Sequence, residues 1–102
     1  KKMSKDDWKR IQEEGDALMK QIVAASDAGA PPDSPEVLAL IARHYDGLRT
    51  FYEPNLELYR GLADMYVGDP RFAAFYDKYK PGLAVYMRDA MRAFCDAGGE
   101  KR

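Results

Sequence analysis

Two side chains in this 102-residue chain are the sole members of the types most often used as haem ligand or reactive thiol: His44, the sole histidine, and Cys95, the sole cysteine. An imidazole titrates at about 6.5 and can ligate haem iron or move a proton. His44 sits in an aromatic neighbourhood, which leaves three readings: a hydrogen bond between packed helices, the lining of a pocket, or a haem ligand. A reactive thiol needs positive charge or a helix N-terminus beside it. Cys95 falls near a predicted helix C-terminus next to Asp96, and Arg92 one turn earlier compensates only in part. The pairs Asp6-Asp7 and Glu13-Glu14 lie on solvated helix faces. No Ser-His-Asp ordering, metal-ligand spacing or glycine-rich phosphate loop is present. The sequence therefore predicts a binding domain, not an enzyme, with no cofactor.

The chemistry in abundance is recognition by aromatic surface. Seven tyrosines, four phenylalanines and one tryptophan are present, and many fall between Phe51 and Phe72 around a Pro54 turn and a Gly68-Asp69-Pro70 break. Aromatic concave sites bind apolar ligands. The candidate ligand-binding set is His44, Tyr45, Phe51, Tyr52, Asn55, Tyr59, Met65 and Tyr66. Buried phenols need hydrogen-bond partners, so so many tyrosines predict partly open walls. In this reading Tyr52, Tyr59 and Tyr66 present ring faces to a ligand. The plainer alternative is that each is core at helical spacing and that Asn55 only caps a helix.

These residues must be positioned by helices. Apolar residues recur at three- and four-residue steps, strict alternation is lacking, and β-branched residues are few, so the fold is expected to be all-α with five helices. Helix one should run from Lys5 to Ala28, capped by Ser4, with Trp8, Ile11, Gly15, Leu18, Met19, Ile22 and Val23 inward. A glycine on that stripe costs roughly 1 kcal/mol against alanine, which predicts a close helix crossing or a kink there. Helix two starts at Ser34-Pro35 and continues to Phe51 or Tyr52, ended by Pro54. Helix three covers Leu56 to Val67 with Leu58, Leu62, Met65 and Tyr66 inward. A short fourth helix carries Phe72, Phe75, Tyr76 and Tyr79 up to Pro81-Gly82. Helix five runs from Leu83 to Ala97 with Leu83, Tyr86, Met87, Ala90, Met91 and Phe94 inward.

Composition narrows the partners. The net charge of −1 is spread along the chain, and no basic cluster exceeds Lys1-Lys2 and Lys101-Arg102, so this stretch should not hold duplex DNA by itself. No apolar run approaches the roughly 20 residues of a membrane helix. A single cysteine and the lack of a signal-peptide pattern predict a cytoplasmic protein. A start at Lys1 directly before a helix cap predicts a fragment whose N-terminal partner is elsewhere.

The ordered set Lys5-Asp6-Asp7-Trp8, Ala28 to Glu36, His44, Phe51-Tyr52, Arg60 to Phe72 and Pro81 to Ala84 resembles the TipAS antibiotic-recognition domain. This is the C-terminal effector domain of a branch of MerR-type transcription activators. The similarity covers nearly the whole chain, and its most specific piece is Met-Tyr-Val-x-Asp-x-Arg-Phe at Met65 to Phe72. The resemblance implies a globin-like domain with a hydrophobic cleft for large antibiotics such as thiopeptides. It also implies a DNA-binding domain and a dimerising coiled coil upstream, making the full-length protein a homodimer. Family members that capture thiopeptides covalently carry cysteines in the stretch matching Pro54 to Gly61. Here Pro54 and Gly61 stand in those places, so binding is expected to be reversible. The competing readings are a helical protein-interaction module without a small-molecule ligand and a haem or thiol redox sensor.

Overall fold

The structure, a computed structural model, describes residues 4–99. Its elements are α1 (Lys5–Asp27), α2 (Pro35–Gly47), a 3-10 turn (Leu48–Thr50), α3 (Leu56–Gly68), α4 (Pro70–Asp77) and α5 (Leu83–Asp96). Among the described residues there is no strand. Capping chemistry sets the starts. Ser4 and Asp7 form a reciprocal capping box, Ser34 precedes Pro35, and Asp69 precedes Pro70 while its carboxylate accepts from the Arg71 N–H. Each side chain satisfies an N–H that the first helical turn leaves without a partner. Gly82 opens α5 at φ 87°, a left-handed turn that a side chain would strain.

The core is organised around α5. Leu83, Ala84, Met87, Ala90, Met91, Phe94 and Cys95 are all buried, a stripe wide enough to face several helices at once. Helices α2, α3 and α4 pack against it, and α1 packs on α2. Val37, Ile41 and Tyr45 complete the core from α2, and Leu18, Met19, Ile22 and Ala25 from α1.

Three expectations are corrected. Helix α2 gives way at Gly47 to a 3-10 turn in which the Phe51 and Tyr52 N–H groups both donate to the Leu48 carbonyl, so Phe51 and Tyr52 lie in the turn and not in the helix. In α1 only the C-terminal half is core. Trp8 is 45% exposed, Gly15 is exposed, and a Cβ built on Gly15 meets nothing within 4 Å, so no helix crosses there. In α3 the buried face is Tyr59, Ala63 and Tyr66, while Leu58 and Met65 are exposed. Both faces of α3 have helical apolar spacing. The deciding term is that the large flat rings of Tyr59 and Tyr66 fill the space beside α5 and find polar partners inside it.

Candidate functional site

A chain of hydrogen bonds ties α2, α3 and α4 together. The Tyr59 hydroxyl lies 2.7 Å from His44 Nδ1, and the Tyr66 hydroxyl 3.1 Å from His44 Nε2. Tyr76 in turn donates to the Tyr66 hydroxyl at 2.8 Å. With Tyr76 donating to Tyr66, Tyr66 can donate to Nε2 while Nδ1–H donates to the Tyr59 oxygen, an assignment that needs a neutral imidazole. Burial pushes the His44 pKa down to about 4 and raises the phenols of Tyr59 and Tyr66. The group is thus uncharged at neutral pH, and its polar atoms are bonded to one another. With both ring nitrogens engaged by tyrosines, His44 has none left to ligate iron. The rings also pack as rings: Tyr66 stacks on Tyr76 at 4.4 Å and Tyr59 meets Phe94 edge-on at 5.8 Å.

His44 and Tyr76 of this platform form the floor of a groove of about 440 Å³ between α1 and α4, and Tyr59 and Tyr66 support them from within the core. Gln12, Gly15, Asp16 and Met19 of α1 form one wall. Phe75 and Tyr79 form the other, with His44 and Tyr76 at the base. Asp16 accepts from the Tyr79 hydroxyl at 2.7 Å and pairs with Lys20 at 3.1 Å. The Tyr79 bond, then Lys20, hold its carboxyl below the usual range, whereas burial followed by Asp16 pushes Tyr79 up to about 12. Phe75 is 48% exposed and also borders a second hollow of about 490 Å³ lined by Arg71, Phe72 and Tyr76. One turn before Gln12 on the same face of α1, Trp8 stacks on Phe51 at 5.9 Å.

The residues singled out from the sequence are therefore divided. His44 lines the groove and Phe51 carries the Trp8 ring, but Tyr45, Tyr59 and Tyr66 are buried core. Tyr59 and Tyr66 are not open walls because their hydroxyls have internal partners in the His44 chain, and Tyr45 is buried with its ring packed against Tyr59 and Phe94. Tyr52 and Met65 are exposed in a separate depression of about 520 Å³ on the outer face of α3, with Leu58, Gly61 and Leu62. Asn55 caps α3, its side chain accepting from the Leu58 N–H at 2.8 Å. The α1 wall, Asp16 and Tyr79 were missed. The signal that could have found them was the glycine in the middle of an amphipathic stripe.

Cys95 is buried, and its thiol lies 3.5 Å from the Leu56 carbonyl. Burial, with Asp96 adding to it and Arg60 opposing, pushes the thiol pKa up. That is the opposite of an activated thiolate. Among the described residues, no three His, Cys, Asp or Glu side chains gather where they could hold a metal ion, and no helix is long and apolar enough to cross a membrane.

An all-α domain with one core and an aromatic groove over a neutral Tyr–His platform is the class that these features define. The family model of the TipAS antibiotic-recognition domain matches residues 1–94, and the chain belongs to that family. It is 45% identical over 91 residues to the transcriptional activator TipA of Streptomyces coelicolor, covering 88% of this chain and 36% of that protein. It is 36% identical over 96 residues to the regulator SkgA of Caulobacter vibrioides, covering 92% and 38%. With the activator mta of Bacillus subtilis it shares 34% over 94 residues, covering 91% and 36%. The chain thus spans little more than a third of the length of these regulators. Among solved structures, TipAS of Streptomyces lividans in complex with the thiopeptide nosiheptide superposes with a TM-score of 0.88 at 42% identity, covering 94% of this chain and 68% of that one. The antibiotic-binding domain of a TipA-class multidrug resistance regulator superposes with a TM-score of 0.81 at 42% identity, covering 89% and 98%. The all-α, five-helix expectation is met at the level of this fold.

Proposed function

We propose that this chain is the effector-binding domain of a MerR-type, TipA-class transcriptional regulator. It takes bulky apolar peptide antibiotics of the thiopeptide class, without covalent capture, in the groove between α1 and α4. The observation that carries the reading is the groove itself. Exposed Phe75 and Met19 border a floor whose polar atoms are already bonded, and the Asp16 carboxylate on the α1 wall is held by Tyr79 and Lys20. An apolar ligand placed there displaces water from ring surface without stripping a partner from a buried polar group. Trp8 and Phe51 extend the apolar surface along the same face of α1, while Tyr52 and Met65 offer a second contact on the outer face of α3. Tyr45, Tyr59, Tyr66 and the Asn55 cap hold the floor in place.

Reversibility follows from the thiol inventory. Pro54 and Gly61 occupy the places of the capturing cysteines, and the sole thiol, Cys95, is buried with a raised pKa. The domain does no chemistry on its ligand, and contact with DNA and dimerisation belong to other parts of a full-length regulator. Nosiheptide titrated into the protein by calorimetry, followed by intact-mass analysis, tests this. Saturable binding with an unchanged mass after denaturation is expected. No heat, or a drug mass that survives denaturation, contradicts the reading.

A further inference from the structure

Gly15 lies near the middle of the 23-residue helix α1, where glycine is the poorest helix former after proline. Glycines are kept inside helices for a close crossing or a backbone that a side chain would strain. Neither reason applies. Its backbone is ordinary α-helix, and a Cβ built on it would meet nothing within 4 Å. What Gly15 does face is the groove, on the wall opposite Phe75 and Tyr79, between Gln12 and Met19. We propose that Gly15 is a specificity-determining residue that sets the width of the groove. It lets a bulky apolar ligand lie against the α1 backbone while its other side meets the Phe75 ring. The inference rests on the groove being the antibiotic site.

The physical consequence is a trade between stability and binding at a single position. Any helix-favouring side chain at Gly15 stabilises α1, and any side chain longer than a methyl group occupies groove volume. Three variants separate these effects: Gly15→Ala, Gly15→Leu, and Ala17→Leu, which places the same side chain at an exposed position on the far face of α1. Melting temperature should rise by about 4 °C for Gly15→Ala and for Gly15→Leu. Nosiheptide affinity should fall slightly for Gly15→Ala and by about tenfold or more for Gly15→Leu, since overpacking a filled space is unfavourable. Ala17→Leu should bind as the unaltered protein does. If the unaltered protein binds nosiheptide and Gly15→Leu binds it equally well, the inference about Gly15 is wrong and the functional reading stands. A lower melting temperature for Gly15→Ala shows that the glycine serves the fold, and also overturns the inference. Failure of the unaltered protein to bind removes the functional reading and this inference together.

Discussion

The floor and the rim of the groove are both aromatic and behave in opposite ways. In and beneath the floor, Tyr76, Tyr66 and Tyr59 are buried and bonded through His44. On the walls and rim, Phe75, Trp8 and Phe51 are about half exposed and touch other rings, with the Lys78 ammonium 5.4 Å from the Phe75 ring centre. A tyrosine here is buried where its hydroxyl finds an internal partner, whereas Phe94, which has no polar atom, is buried by packing alone. Phenols with such a partner can be buried at little cost, and they brace helices of different sequence position. Phenylalanine and tryptophan at the rim are left to cover something else.

The largest effect should come from breaking the floor. Tyr59→Ala removes a fully buried ring and leaves His44 Nδ1 without its partner, so urea unfolding should show a loss of about 3–5 kcal/mol. A loss below about 1 kcal/mol would mean that Tyr59 is a wall residue after all.

Next comes pH. The folded protein holds His44 neutral with a pKa of about 4, below its unfolded value of about 6.5. The unfolded chain therefore binds the extra proton first. The His44 contribution is fully present above about pH 6.5, declines as pH falls, and is spent below about pH 4, a total of up to about 3 kcal/mol. The depressed carboxyls of Asp7, Asp16 and Asp69 act lower, in the carboxylate range. Unfolding free energies measured between these limits should slope downward toward acid, and a His44→Gln variant should lose the slope above pH 5. A flat profile in the unaltered protein would deny the buried neutral histidine.

The wall gives a smaller effect of another kind. Phe75→Ala should leave melting nearly unchanged and weaken nosiheptide binding by roughly 2 kcal/mol, or about thirtyfold. Equal losses of stability in Phe75→Ala and Tyr59→Ala would erase the distinction between wall and floor. Smallest is Asn55→Ala, which removes only the α3 cap and should cost about 1 kcal/mol of stability with affinity unchanged.

Much of this was readable from sequence where local chemistry decides. The caps at Ser4, Ser34, Asn55 and Asp69 and the breaks at Pro31-Pro32, Pro54 and Pro81-Gly82 set element bounds to within a few residues. The end of α2, loosened at Gly47, came out shorter, and α4 stops at Asp77, which leaves Tyr79 in the turn that follows it. The α5 stripe was also legible, because one apolar face there has no rival. In α3 two faces compete at the same period, and the choice depends on a partner, His44, that lies 15 residues from Tyr59 in the chain. Periodicity carries no such long-range term. The groove escaped notice for the same reason, since its walls come from α1 and α4 and meet only in the folded chain.

Hydrogen exchange with and without nosiheptide tests the central claim most directly. The account predicts added protection in residues 12–19 of α1 and 70–77 of α4, with the buried α5 amides already slow in the free protein. Protection confined to residues 52–65 on the outer face of α3, or none at saturating nosiheptide, would contradict it.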